Sequence, residues 1–344
     1  MQKQKYKKNT FQDQMLSELW ENAIFNKECF YILEKIIVKQ SKEKNPEDKV
    51  TLDLSSEEIN FVLSTVRNRN LITSEDQDRL RKTIVGFFGL SVGSHAALTW
   101  MMESRADVIK IVDTDTITPS NLNRLRFGWN NVGKYKAHVV ENYLLEINPF
   151  SKVIKSIDKS QESMINIVNG EPPLSVIVDA IDDMESKIVL RKQAKKLKLP
   201  LVSAADVGDN VMLDIERYDI IPQPELFLGK VPNIERVNFS AISELERKKL
   251  IVKLVSFEKN SEQMLDSLLS IGKSLATWPQ LGATATIAGG IVITTVKKII
   301  LGEKVLSGRY YISLDDILVS DFNNPNRRQI REEKIKQIKK KLKI

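Results

Sequence analysis

Three groups of residues carry chemistry by type and spacing. Gly89, Ser91 and Gly93 follow the apolar run 84–88, Asp113 and Asp115 close the run 109–112, and Asp179, Asp182 and Asp183 close the run 176–178. A strand feeding a glycine turn and a helix presents backbone N–H groups and a positive dipole end to phosphate. An acid at the tip of the next strand suits ribose hydroxyls. Between the second and third groups come Asn121, Asn123, Arg124 and Lys136. A dinucleotide site needs little beyond the ribose acid, so this density of amides and cations fits a triphosphate. An acid on the third strand tip can hold Mg²⁺ against those phosphates.

Such groups converge only if parallel strands deliver them to one sheet edge. The fold expected is α/β, a Rossmann-like doubly wound, mostly parallel sheet with an N-terminal helical region and a C-terminal basic helix. The boundaries expected are 1–80 for the helical region, 81–310 for the catalytic domain, and 311–344 for a C-terminal strand and basic tail. Apolar residues at helical spacing, including Leu16, Leu19, Trp20 and Phe25, mark a helix within 11–39. A polar break at 41–48 containing Pro46 precedes a second helical stretch at 52–66, with Ser55-Ser56-Glu57-Glu58 as its start. This region is expected to pack, with substrate recognition as the alternative. A sheet strand is expected at 199–203 and an edge-like strand at 211–221, with helical pieces at 241–254 and 263–271. Residues 283–296 are apolar and threonine-rich, too short and mixed to span a bilayer. They read as a buried helix packed on the sheet.

The net charge of +7 is uneven. Residues 327–344 hold nine Lys or Arg and two Glu, so that tail alone carries +7 and the rest of the chain is neutral. Ile330, Ile335, Ile338 and Leu342 recur there at helical intervals, which predicts a solvated helix docked by one face rather than an RNA or acidic-partner arm. The N-terminal residues lack an apolar segment behind their lysines, so neither a signal peptide nor a membrane partner is expected. The single cysteine, Cys29, excludes a four-thiolate zinc site and a disulfide framework. It sits in an apolar helical stretch, reads as a small buried side chain, and fits a reducing cytoplasm.

The ordered motif set resembles the ThiF, MoeB and ubiquitin-activating-enzyme superfamily of adenylyltransferases, over roughly residues 67–210. The matches are Gly89 to Gly93, Asp113 and Asp115, Ser120 to Arg124, Lys136, Asp179 to Asp182, and upstream Asn68-Arg69 with Gln77. A weaker echo lies in Trp278-Pro-Gln-Leu and the helix through Gly289-Gly290. The resemblance implies ATP-dependent activation of a carboxylate, that of a ubiquitin-like protein or peptide C-terminus, as an acyl adenylate. It assigns Asp113 to the ribose hydroxyls, Asn121, Arg124 and Lys136 to the phosphates, and Asp182 to Mg²⁺. Asp115 divides evenly between a site contact and turn formation. Arg69 would reach the triphosphate of a partner subunit, which implies a homodimer. Each cation removed should lower the rate far more than the stability, because exposed charges contribute little to folding. With no second cysteine, the reaction would stop at the adenylate or pass the acyl group to another molecule.

The glycine turn departs from Gly-x-Gly-x-x-Gly, with Ser91 third and Ser94 sixth. Either the turn is tighter or Ser91 offers a hydroxyl to a phosphate. The same residues spell a Gly-x-Ser-x-Gly nucleophile elbow, but the only histidines, His95 and His138, do not follow a well-placed acid, and both read as ordinary helix residues. The remaining alternatives are a relative of the tRNA threonylcarbamoyladenosine dehydratases, a catalytically inactive binding scaffold, and, as a minor option, a nicotinamide-dependent oxidoreductase.

Overall fold

The computed structural model describes residues 10–23, 26–33, 57–222, 224–239, 241–255 and 260–342. They divide into two units, one formed by the residues up to Asp78 with Glu103–Arg105, the other by Arg79–Met102 and Ala106 onward.

In the first unit, helices Thr10–Ala23, 27–33 and Glu57–Thr65 bury Leu19, Cys29, Ile32, Leu33, Ile59 and Val62 in one cluster. Leu16 packs at its margin and Trp20 is exposed, so the apolar face is narrower than the spacing suggested. Phe25, Ser55 and Ser56 lie outside the described residues.

In the second unit, short apolar runs form a seven-stranded sheet because parallel strands covered on both faces need apolar residues at nearly every position. The strands are β1 (Val85–Phe88), β2 (Val108–Val112), β3 (Lys152–Ser156), β4 (Val176–Asp179), β5 (Pro200–Val207), β6 (Asn210–Arg217) and β7 (Gly308–Ser313). Their order is β3-β2-β1-β4-β5-β6-β7. The first five are parallel, while β6 and β7 add on antiparallel. The chain goes from β1 to β2 and β3 on one side, then returns to β4 on the other. A crevice therefore opens at the carboxyl ends of β1 and β4, where ligands bind in such sheets.

Five expectations need correcting. β5 runs to Val207 rather than stopping at Ser203, and β6 is interior and buried throughout because β7 covers its outer side. β7 straddles residue 310 and pairs with β6 from Gly308, so the expected boundary at 311 falls inside the sheet. The helix expected at 283–296 spans Gly282–Ile300, 19 residues, long and apolar enough to cross a membrane by length and composition alone. It lies against β5 and β6 and buries Ala285, Ala288, Val292, Ile293 and Val296. The basic helix, Pro325–Leu342, docks through Ile338 and Ile335 on Leu265, whereas Ile330 is exposed. The Leu342 side chain lies outside the described residues.

Candidate functional site

At the switch point of the sheet lies a cleft of about 240 Å³, walled by Gly89, Ser91, Asp113, Asp115, Lys136 and Asp182. Six residues expected at the site thus share one cavity. On β1 the turn is tight. Gly89 adopts φ +86°, and a Cβ there would stand 2.3 Å from the Ala180 carbonyl oxygen on the tip of β4. Only glycine fits that approach. The helix Val92–Ser104 starts three residues later, and Gly93 brings it close to the same tip, its added Cβ meeting Ala180 Cβ at 3.1 Å.

Asp113 ties this turn to β2. Its Oδ2 accepts from the Leu90 N–H at 2.6 Å and its Oδ1 from the Asp115 N–H at 2.8 Å. Burial pushes its carboxyl above the usual range, against the pull of Lys136 and of those two N–H groups. Lys136 opens the helix Lys136–Ile147, is buried, and puts Nζ 2.9 Å from Asp115 and 3.9 Å from Asp113. Asp115, more exposed, completes the ion pair on the cleft wall.

Arg124 does not line the cavity but reaches its glycine turn, with Nε 3.4 Å from the Ser91 hydroxyl oxygen. Its Nη1 donates to the Ser120 carbonyl at 3.1 Å and to Asn123 Oδ1 at 3.0 Å. The turn is therefore tight and the Ser91 hydroxyl also faces an arginine. Asn121 serves a local role, its Oδ1 accepting from the Thr118 N–H at 3.2 Å to cap the turn 119–121.

The three acids after β4 divide their work. Asp179 is fully buried and bonds Arg191 at 2.6 Å, Lys187 at 3.0 Å and the Ile181 N–H at 2.9 Å. Burial pushes its carboxyl up, but Lys187 and Arg191 overcome this and hold it below the usual range. Asp183 caps the helix Met184–Leu197 by accepting from the Ser186 N–H at 2.8 Å. Asp182, exposed, stands on the cleft wall.

Arg69 belongs to the other unit. There it lines a cleft of about 290 Å³ and pairs with Glu28 at 3.0 Å. That cleft is larger but holds no glycine turn or strand tip. Asn68 and Gln77 bond each other at 3.0 Å and both donate to the Glu103 carbonyl, a structural role. Cys29 is buried, as its surroundings suggested.

Two contributions went unread in the sequence. Asp158, Ser160 and Gln161 line the cleft from the loop after β3, a strand whose two branched apolar residues, Val153 and Ile154, lie between lysines and give a weak signal. Asp206, near the end of β5, is buried with Oδ1 accepting from Gln280 Nε2 at 2.9 Å. Its only signal was an acid beyond a strand expected to have ended.

Over 253 residues, 73% of this chain and 35% of the relative, the chain is 29% identical to "Uncharacterized protein MT1398" of Mycobacterium tuberculosis (strain CDC 1551 / Oshkosh). It is also 29% identical over 127 residues, 37% of this chain and 33% of the relative, to "Probable molybdopterin-synthase adenylyltransferase" of Porphyra purpurea. The match thus spans about a third of the length of each of these relatives. Among solved structures, the fold is similar to that of the Escherichia coli tRNA N6-threonylcarbamoyladenosine dehydratase in complex with AMP, with a TM-score of 0.52 and 18% identity, covering 70% of this chain and 94% of that one. Residues 65–337 match the ThiF family, and the chain belongs to it.

Proposed function

We propose that the chain is an ATP-dependent adenylyltransferase that activates a carboxylate, the C-terminus of a ubiquitin-like protein or of a peptide, as an acyl adenylate. The observation that carries this reading is a single cleft at the switch point, where the glycine turn, Asp113, Lys136 and Asp182 meet beside the guanidinium of Arg124. The adenylyltransferase named among the relatives supports the reaction class.

In this reading Asp113 takes the ribose hydroxyls, since each of its bonded oxygens keeps a second lone pair. Asn121, Arg124 and Lys136 take the phosphates. A substrate carboxylate oxygen attacks the α-phosphorus in line, the bond to the bridging oxygen breaks, and pyrophosphate leaves with the electron pair. Catalysis is then positioning plus cations held where the leaving charge gathers. Asp182 would hold Mg²⁺, which when bound neutralises the leaving group. The donors fit, being hard carboxylate oxygens. Among the described residues no group of three or more His, Cys, Asp or Glu gathers as a metal cage, and Mg²⁺ needs none where phosphates and water complete its shell.

ATP–pyrophosphate exchange with candidate small modifier proteins and peptides tests the reaction. Exchange lost in Asp182→Ala with folding intact supports it; nucleotide binding without exchange across all candidates favours the inactive scaffold. A homodimer in which Arg69 serves the partner's site predicts that mixed Arg69→Ala and Asp182→Ala protomers regain exchange that neither has alone.

A second reading keeps the chemistry and places the carboxylate on tRNA. Arg328, Lys336, Lys339 and Lys340 are exposed on the C-terminal helix, an electrostatic face for a polyanion. Salt-sensitive tRNA binding that is lost when Lys336, Lys339 and Lys340 become glutamine would favour it. ATP turnover indifferent to tRNA would count against it.

A further inference from the structure

Asp206 is a buried acid that the reading above leaves unused, and what it holds is the segment leading into the apolar helix. Its Oδ1 accepts from Gln280 Nε2 at 2.9 Å and its backbone carbonyl from Trp278 Nε1 at 3.3 Å. Two residues on, the Gly208 carbonyl accepts from Thr284 Oγ1 at 2.7 Å. The end of β5 and the turn after it thus fasten residues 278–284. Only 6% of Asp206 is exposed, and a hydrogen bond away from water is electrostatically stronger than one in it.

The fastened segment reaches the arginine of the site. Asn123 Nδ2 donates to the Gln280 carbonyl at 2.7 Å, and Asn123 Oδ1 accepts from Arg124 Nη1 at 3.0 Å. Asn123 can bridge the two because a carboxamide both donates and accepts. Gly282 permits the close approach, since a Cβ there would stand 2.8 Å from the Asn123 carbonyl oxygen. Arg124 Nη1 also donates to the Ser120 carbonyl, and Nε reaches the Ser91 hydroxyl. A chain of contacts therefore runs from Asp206 through Gln280, Asn123 and Arg124 to Ser91 in the glycine turn. Among the described residues Arg124 Nη2 makes no hydrogen bond, so its donors are left for an anion.

Arg124 needs such support. It lies in irregular backbone after the turn 119–121, with neither helix nor strand to fix its direction. Electrostatic catalysis depends on charge that is in place before the reaction, and small misplacements are costly. We propose that Asp206, Gln280 and Asn123 are positioning residues that fix the Arg124 guanidinium at the glycine turn and present Nη2 to the phosphates. The proposal rests on the ATP reading. It extends the site to the end of β5 and to the segment 278–284, both acting through Arg124.

The probes are AMP and an ATP analogue whose α,β bridge cannot break, titrated calorimetrically into the full chain. Arg124→Ala, Asn123→Ala and Gln280→Glu should each weaken the analogue about ten-fold, the scale of one hydrogen bond to a charged group, and leave AMP within about two-fold of wild type. Gln280→Glu sets two carboxylates against each other, and adding Asp206→Asn restores a donor and an acceptor, so the double variant should recover analogue affinity. Asn123 is exposed, so Asn123→Ala supplies the comparison should Gln280→Glu fail to fold. Combined with Arg124→Ala, Asn123→Ala should add almost nothing, because a residue that acts through the arginine has no effect once the arginine is gone. Additive losses, equal losses for AMP and analogue, or wild-type analogue affinity in Asn123→Ala overturn the proposal and leave the ATP reading standing. Wild-type protein that binds neither AMP nor the analogue sinks both together.

Discussion

His95 Nε2 donates a 2.6 Å hydrogen bond to the backbone carbonyl of Arg124. A buried imidazole on the helix after the glycine turn thus holds the segment that carries the arginine, with Nδ1 3.4 Å from Thr286 Oγ1 on the apolar helix. This histidine is a structural tie between two parts of the site, and more than an ordinary helix residue.

Burial pushes the His95 imidazole below the ordinary histidine range, and Arg126 adds to this, while the bond to the Arg124 carbonyl opposes them. A histidine whose folded pKa is depressed leaves the unfolded chain binding more protons below about pH 6.5. Stability from this group is therefore complete above that pH and lost as pH falls toward the depressed value. Thermal unfolding across pH 7.5 to 5 should show a declining melting temperature, and the slope should flatten in His95→Gln, whose amide can still donate to the carbonyl. An unchanged slope in the variant would show that other groups cause it.

Lys136 and Arg124 should behave differently when removed. The expectation that losing either cation spares stability assumed exposure, and Lys136 is buried against Asp113 and Asp115. Lys136→Met leaves the buried Asp113 carboxylate without its cation, at a cost of about 3 kcal/mol. Arg124 is only half-buried, and Arg124→Ala should cost about 1 kcal/mol or less while lowering exchange about 100-fold. Urea unfolding of both variants, set beside their exchange rates, checks the contrast.

The strand tips were legible because β1, β2 and β4 are buried parallel strands, whose apolar runs end visibly where an acid or glycine begins. β6 was misread as an edge because its polar residues find partners far along the chain. Asp214 pairs with Arg309 at 2.7 Å and Glu216 with Arg191 at 2.8 Å, and all four are buried or nearly so. Alternation of charge looks like solvent exposure until those arginines are placed. Asp206 was hidden for a related reason. Ala204 and Ala205 carry little strand signal, and the burial of the acid comes from the segment at Trp278 and Gln280, more than 70 residues away.

The approach of Gly89 to Ala180 predicts an asymmetry in the glycine turn. Gly89→Ala places a Cβ 2.3 Å from a backbone oxygen at φ +86°, strain that should cost about 3 kcal/mol or more. At Gly93 the neighbour is the Ala180 methyl group at 3.1 Å, which can give way, so Gly93→Ala should cost about 1 kcal/mol. Equal unfolding midpoints in urea for the two variants would contradict this geometry.

Asp179 and Asp182 stand three residues apart, and the structure divides them between fold and chemistry. Asp179 is buried with Arg191, which also pairs with Glu216, and its Oδ1 fixes the Ile181 N–H immediately before Asp182. Asp179→Ala leaves Arg191 short of a carboxylate inside the protein and should destabilise by about 3–5 kcal/mol. Asp182 is exposed, so its alanine variant should unfold within about 0.5 kcal/mol of wild type, yet lose exchange. Exchange assayed well below the unfolding temperature separates the two, because Asp179→Ala protein that remains folded should keep part of its activity whereas Asp182→Ala should keep almost none. If Asp182→Ala retained exchange while Asp179→Ala lost it without loss of stability, the roles of the two acids would have to be reversed.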